Sequence, residues 1–168
     1  MIYLDYTANT PADPAVLNAF IAAEQRYIAN PNSTHIAGQQ ARAEMDRVTS
    51  SIAQRLGVQP AEIIYTSGAS EANNLAVKGI AQAARHIGKH IISTELEHSS
   101  VGASLSVLQQ QGYEIDLLRI GRDGRVDLDQ LRELLRDDTI LVAVCAVDSE
   151  LGTVQPIREI AELSLIHI

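Results

Sequence analysis

A turn of small residues in the first half of the chain has the residue types of an anion-binding site. It covers residues 66–70 (TSGAS), between a short β-branched stretch at 62–65 and an apolar helical pattern. We predict a strand before the turn and a helix after it, with Gly68 permitting a tight turn and Ser70 as the helix N-cap. Free backbone N–H groups and the helix dipole would then favour a phosphate here. An ordinary strand-to-helix turn without a ligand is the alternative interpretation.

A histidine, His98, stands at a second junction of this kind, in the loop 95–99. It follows a predicted strand over 90–94 and precedes a predicted helix over 99–111. The positive end of the helix dipole disfavours the charged form of a histidine placed there. A neutral, flat imidazole can stack on an aromatic cofactor or relay a proton. The alternative is that His98 only caps the helix or packs at its start.

A third polar loop covers residues 148–153 and follows the most apolar stretch of the chain, 139–147. We predict that this stretch is a strand buried on both faces, with Cys145 as an inert core residue. Asp148 or Glu150 could orient a ligand, and Ser149 could give a hydrogen bond. The alternative is a solvated loop whose charges serve solubility.

The elements that must position these loops alternate between strand and helix patterns from residue 62 onward. This alternation predicts an α/β domain, a three-layer α/β/α arrangement with a mostly parallel sheet. Ligands of such sheets bind beyond the carboxyl ends of the strands. The three loops are therefore expected to converge at one edge of the sheet.

Local signals set the ends of several predicted helices. Asp13 and Pro14 open a helix that runs to about residue 27, and Gly57 ends another over 36–56. Asp127 is predicted to cap a helix, with Gln130 as the reciprocal half of a capping box.

The composition excludes several classes of protein. With 168 residues, 46% hydrophobic and 20% charged, the chain can form one folded domain with a sizeable core. A net charge of −8 argues against nucleic acid or an anionic membrane as partner. One cysteine permits no intrachain disulfide, and the start of the chain lacks signal-peptide features, so a cytoplasmic location is expected. The histidines show no metal-ligand spacing, so no metal site is predicted.

Several motifs, in order over nearly the whole chain, resemble those of the cysteine desulfurases. These belong to the class V aminotransferase-like branch of fold-type I pyridoxal 5'-phosphate (PLP) enzymes. The motifs are YLDY at 3–6 with Thr10 and Pro11, NPNS at 30–33 with His35 and Gly38, TSGASE at 66–71 with Asn74, Glu97 with His98, RDDTILV at 136–142, and ELGTVQP at 150–156.

The resemblance implies that PLP is the cofactor and gives roles to residues in the three loops. Ala69 and Ser70 match the pair that holds the PLP phosphate, although the family usually has threonine at the second position. His98 matches a histidine that stacks on the pyridine ring and takes part in proton transfer. Ser149 matches a usual asparagine that contacts the phenolic oxygen of the cofactor and the substrate. Serine is shorter and carries one polar group rather than two.

The implied reaction converts L-cysteine to L-alanine and leaves a persulfide for a sulfur-acceptor protein, as in iron–sulfur cluster assembly. The family also implies a homodimer. The serine at position 149 keeps open a sister enzyme of class V, such as a selenocysteine lyase or an aminotransferase. A non-catalytic binding or assembly fragment is a third interpretation.

The resemblance also implies that part of the active site lies outside this sequence. The Schiff-base lysine, the aspartate that pairs with the pyridine nitrogen and the sulfur-accepting cysteine belong to family segments beyond residue 163. Lys78, Lys89 and Cys145 match none of them. We therefore expect an N-terminal fragment, without activity by itself. It would comprise an arm at 1–12, a partial PLP-dependent transferase domain at 13–163 and a non-native tail at 164–168.

Overall fold

The structure, a computed structural model, describes residues 2–6 and 8–165 of the chain. The chain divides into two compact units, Met1–Tyr65 and Thr66–Ile168. The predicted arm, partial domain and tail stay predictions, and residues 166–168 of that tail lie outside the described residues. None of the described helices is long and apolar enough to cross a membrane.

The first unit consists mainly of two helices, α1 (Pro14–Arg26) and α2 (Ile36–Leu56). The Asp13 carboxylate accepts a hydrogen bond of 2.7 Å from the Ala15 amide and begins α1, with Pro14 in its first turn. Gly57 ends α2 in the left-handed conformation (φ 70°), which glycine adopts without strain. Both sets of predicted helix ends are thus confirmed.

The predicted strand at 62–65 is wrong. A 3₁₀ turn occupies Pro60–Glu62, and the residues after it have no regular structure. The Glu62 carboxylate accepts from the Gln59 amide at 2.6 Å, and Pro60 fixes the backbone angle of the turn. The β-branched run that follows has no strand partner among the described residues, and a β-branched sequence becomes a strand only where a neighbour can pair with it.

The second unit contains a parallel sheet with the strand order β2-β1-β3. Its strands are β1 (His90–Thr94), β2 (Glu114–Leu118) and β3 (Thr139–Val142), and its helices are α3 (Ala69–Ala84), α4 (Ser99–Gln110), α5 (Leu128–Leu134) and α6 (Ile157–Leu165). In the register, Ile91 faces Ile115 of β2 and Leu141 of β3.

Each face of the sheet carries its own helices, because side chains alternate along a strand. Ile91 packs in a cluster with Val77 of α3 and Leu105 of α4. Its neighbour Ile92 packs on the opposite face with Leu131 of α5 and with Ile160 of α6. These two clusters confirm the predicted three-layer α/β/α arrangement with a parallel sheet.

Two predictions about the second half of this unit are wrong. The apolar stretch 139–147 forms a strand only as far as Val142, and Ile140 is the only buried residue of β3. Among the described residues, β3 pairs with β1 alone. Gln130 does not complete a capping box with Asp127. Its side chain accepts instead from the Arg119 amide at 2.6 Å, while Asp127 caps the Asp129 and Gln130 amides of α5.

Candidate functional site at the carboxyl edge of the sheet

The turn at 66–70 leads into α3 with Gly68 as its N-cap. The carbonyl of Gly68 accepts the first helical hydrogen bond, from the Ala72 amide at 3.1 Å, so Ser70 is the second residue inside the helix. The prediction of Ser70 as N-cap is therefore wrong. The backbone of Gly68 is extended (φ 165°), and a methyl group there would meet no atom within 4 Å.

The start of α3 offers several hydrogen-bond donors without acceptors. The backbone N–H groups of Ala69, Ser70 and Glu71, and the Ser70 hydroxyl, have no acceptor among the described residues. The Glu71 carboxylate turns back to accept from the amide and the hydroxyl of Ser67, both at 2.6 Å. These hydrogen bonds lower the pKa of Glu71. The free donors at the N-terminus of α3, which is the positive end of the helix dipole, therefore suit an anion such as phosphate.

His98 is the N-cap of α4, and its side chain is held by the helix that it caps. Its Nδ1 accepts from the Ser100 amide at 3.2 Å and lies 2.8 Å from the Ser100 hydroxyl. Asn73 of α3 donates to that hydroxyl from Nδ2 at 2.9 Å. This contact ties the loop of His98 to the second turn of α3, which begins at Ala69. The His98 ring is exposed, whereas Ser100 is buried.

Glu97 joins the loop of His98 to the segment that follows β3. One of its carboxylate oxygens, Oε1, accepts from the Thr94 hydroxyl at 2.9 Å and from the Cys145 amide at 2.8 Å. A single oxygen thus connects the end of β1 with the chain beyond β3. We infer from these contacts that Glu97 sets the position of His98 relative to the loop that carries Ser149.

The loop at 148–153 is shaped by the buried side chain of Asp148. Its Oδ1 accepts from the amides of Glu150, at 3.0 Å, and Leu151, at 2.5 Å, and Gly152 turns the chain with φ 70°. The Asp148 carboxylate is therefore occupied within its own loop. Ser149 is exposed, and its hydroxyl has no hydrogen-bond partner in the described chain.

Two of the three predicted loops meet in one cavity. It has a volume of about 440 Å³ and is lined by residues 95–99 and 148–151, so His98 and Ser149 share it. A second cavity of about 370 Å³ adjoins it, and its lining includes Asn73, His98 and Cys145. Ala69 and Ser70 line neither cavity and are connected to His98 through Asn73. The structure thus brings the second and third predicted loops together directly. The first loop is linked to them only through α3, whose Asn73 bonds to Ser100.

The sequence pattern of the family described as Aminotransferase class-V matches residues 2–166. The chain belongs to that family. The mitochondrial cysteine desulfurase of Arabidopsis thaliana is 42% identical over 167 residues, which cover 99% of this chain and 37% of that protein. The solved structure titled "NIFS-LIKE PROTEIN" superposes with a TM-score of 0.93 at 32% identity, over 99% of this chain and 46% of that one.

A further solved structure, titled "SspA in complex with cysteine", superposes with a TM-score of 0.88 at 36% identity. The match covers 98% of this chain and 48% of that one. The chain spans less than half the length of the curated relatives it matches, from 44% down to 33% of it. The fold of this class V chain is thus that of these two solved structures, over the part of each that it covers.

The two lysines and the cysteine of this class V chain make contacts of their own, apart from the free donors at the start of α3. Lys78 donates to Asn74 within α3, and Lys89 lies over the Tyr113 ring, 5.5 Å from its centroid. Cys145 lies beyond the end of β3 and is half-buried, which corrects its prediction as a residue inside a strand. Burial and the nearby Glu97 and Asp148 carboxylates raise the pKa of its thiol. A thiol in that state is a poor nucleophile, as predicted from its apolar surroundings.

Three residues of the site received no role from the sequence, namely Asn73, Ser100 and Glu97, the last of which was noted only as part of a motif with His98. For Ser100 the sequence held one signal: a side chain at the N-cap of a helix, here His98, accepts from the amide two residues later. Nothing local indicated that Asn73 reaches Ser100 or that Glu97 reaches the Cys145 amide. Within the described chain no group of three or more His, Cys, Asp or Glu side chains is arranged to hold a metal ion.

Proposed function

We propose that this chain forms one wall of the PLP site of a cysteine desulfurase. The observation that carries the proposal is the set of free donors at the start of α3, linked by the Asn73–Ser100 hydrogen bond to His98. Membership of the class V family and cysteine desulfurase relatives at about 40% identity support it. When bound, PLP supplies an electron sink for reactions at the carbon that carries an amino group.

The distribution of charge supports a cofactor whose phosphate lies at the start of α3 and whose ring lies at His98. Ala69 and Ser70 would hold the phosphate, because their N–H groups and the Ser70 hydroxyl are free. The cavity that His98 and Ser149 share carries carboxylates on its rim, among them Glu95 and Glu150. Such a rim disfavours a phosphate and favours the cationic end of an amino-acid substrate. His98 would stack on the pyridine ring, and the Ser149 hydroxyl would donate to the edge of the cofactor.

The remaining parts of the reaction follow from the same proposal. The substrate is L-cysteine, the product L-alanine, and the sulfur passes as a persulfide to an acceptor protein. The protein acts in the cytoplasm as a homodimer. Lys78 and Lys89 line neither cavity of the described site, so the proposal assigns the Schiff base to neither of them. We expect that the purified 168-residue chain releases no alanine from cysteine, and steady alanine production would overturn this expectation.

Titration with inorganic phosphate and with PLP tests the proposed cofactor wall. Ser70→Asp places a negative charge beside the free N–H groups, so we expect it to reduce the affinity for both ligands by at least about tenfold. Ser106→Asp adds the same charge in the middle of α4, on an exposed residue, and serves as the matched control. Equal affinities of the two variants for PLP, or no PLP binding by the wild type at millimolar concentration, would favour a non-catalytic binding fragment.

The residue at position 149 favours one second candidate, a sister enzyme of class V with a different amino-acid substrate. A serine replaces the usual asparagine next to the substrate, and its hydroxyl is free in the shared cavity. Activity of the complete enzyme on cysteine, on selenocysteine and in transamination distinguishes the candidates. A preference for cysteine that rises at least about tenfold in Ser149→Asn would show that this position weakens cysteine recognition.

A further inference from the structure

The proton positions on His98 follow from the groups that face its Nδ1 atom. The Ser100 backbone N–H, which can only donate, points at Nδ1 with an N···N distance of 3.2 Å. Nδ1 must therefore carry a lone pair rather than a proton. In a neutral imidazole the other nitrogen, Nε2, then carries the proton.

A second donor reinforces this arrangement. The Ser100 hydroxyl lies 2.8 Å from Nδ1 and receives a hydrogen bond of 2.9 Å from Asn73 Nδ2. Because its oxygen already accepts from Asn73, the hydroxyl is oriented to donate its own proton to Nδ1. Asn73, Ser100 and His98 thus form a chain of hydrogen bonds that all run in one direction, and its middle member is buried.

We propose that Ser100 and Asn73 are positioning residues that hold the neutral His98 ring in one tautomer, with Nδ1 as acceptor and Nε2–H as donor. A proton on Nδ1 would lie against two donors, so this chain of hydrogen bonds disfavours the other neutral tautomer, in which Nδ1 carries the proton. His98 then presents a flat ring that can stack and an Nε2–H group that can donate. What the ring faces rests on the proposed PLP site, whereas the position of the proton does not.

Nitrogen-15 NMR of the histidine rings in the full chain, recorded without cofactor at neutral pH, tests the proposal. A His98→Gln variant assigns the signals. We expect a pyridine-type Nδ1 and a pyrrole-type Nε2 for His98. His86 gives a contrast in the same spectrum, because its Nδ1 lies 3.0 Å from the Ala83 carbonyl oxygen and must carry a proton to bond with it. A pyrrole-type Nδ1 in wild-type His98 would overturn the proposal, and it would do so whether or not PLP binds.

Two variants test the roles of Ser100 and Asn73. Ser100→Ala removes the hydroxyl donor, and Asn73→Asp provides a carboxylate that draws the hydroxyl proton away from Nδ1. We expect both to move the His98 Nδ1 signal toward the protonated range, with the larger shift in Asn73→Asp. Ser106→Ala is the matched control, because the Ser106 hydroxyl donates to the Gly102 carbonyl and to no other group among the described residues.

The buried His90 reports in the same spectra whether the sheet is intact. An unchanged His98 signal in Asn73→Asp, with unchanged His90 signals, would overturn the role of the chain of hydrogen bonds. A variant that loses the His90 signals has unfolded, and the wild-type spectrum then decides the proton position by itself.

Discussion

The amino edge of the parallel sheet, where the strands begin, and its carboxyl edge, where they end, differ in how many polar atoms are already hydrogen-bonded. At the amino edge, His90 is fully buried, and both ring nitrogens are bonded, Nδ1 to Thr139 at 2.7 Å and Nε2 to Asp116 at 3.1 Å. At the carboxyl edge, His98 is exposed, and its Nε2 has no partner in the described chain. The comparison shows that a histidine at a strand end is structural where its neighbours occupy both nitrogens and available for a ligand where they occupy one.

The same contrast holds for charged and hydroxyl groups. Arg136 at the amino edge pairs with Glu114 and, at 2.7 Å, with Asp138. The Ser70 and Ser149 hydroxyls near the carboxyl edge have no partner among the described residues. The amino edge therefore contributes to folding, while the carboxyl edge keeps its donors for binding.

The largest difference in the free energy of unfolding is expected between two glycine substitutions, one at each edge of the sheet. A methyl group at Gly88 would collide with the backbone carbonyl of Asp138, whereas one at Gly68 would meet no atom within 4 Å. Gly88→Ala should lower the free energy of unfolding by about 3 kcal/mol, and Gly68→Ala should change it by less than about 1 kcal/mol. Urea denaturation of both variants measures this. Similar losses would contradict the contrast between a packed and an open edge.

The second largest difference in the free energy of unfolding is expected between substitutions of His90 and His98. His90→Ala leaves Asp116 and Thr139 without their partner and opens a cavity, so we expect a loss of about 2–3 kcal/mol in the free energy of unfolding. His98→Asn keeps an oxygen that can cap α4, so the expected loss is below about 0.5 kcal/mol. Thermal unfolding followed by circular dichroism compares them. If His98→Asn costs as much as His90→Ala, the exposed histidine has a structural role as well.

The smallest effect is expected for the ion pairs of Arg136, and it depends on pH. Hydrogen bonds to Arg136 hold the pKa values of Glu114 and Asp138 below their ordinary range. A carboxylate with a lowered pKa in the folded state adds stability above its ordinary pKa, and this contribution disappears as the pH falls through the lowered value. Arg136→Leu should thus be less stable than the wild type at pH 7, and the difference should shrink as the pH falls below the ordinary pKa range of the two carboxyl groups.

Arg122→Leu is the control for this measurement, because Arg122 is exposed and forms no ion pair within the described chain. Urea midpoints of the three proteins between pH 7 and pH 2.5 give the comparison. A difference between Arg136→Leu and the wild type that stays constant over this range would show that the ion pairs do not cause it.

Helix ends were the most predictable part of the fold, because they depend on residues that are neighbours in sequence. Asp13 with Pro14 and Gly57 mark ends that the structure has within one or two residues. The strand at 62–65 and the length of β3 could not be predicted, since both depend on a pairing partner elsewhere in the chain. Gln130 was assigned to the wrong partner for the same reason.

The candidate site was predictable in its parts and not in its connections. The positions of His98 at a helix start and of Ser149 in a loop after β3 followed from the sequence pattern. The assignment of Ser70 as N-cap failed by two residues, because Gly68 accepts the first helical bond. The contacts of Glu97 and of Asn73 were unpredictable, since each joins segments that are separated by 27 residues or more.

The sequence alone determined the class V family, the α/β alternation and the residue types of the three loops, because local propensity and motif order depend only on the chain. Only the tertiary structure decided which polar groups remain available. Whether a histidine or a hydroxyl is already bonded depends on atoms brought from distant segments, as with Thr139 and Asp116 around His90 and Asn73 behind Ser100. The difference between the two edges therefore exists only in the folded chain.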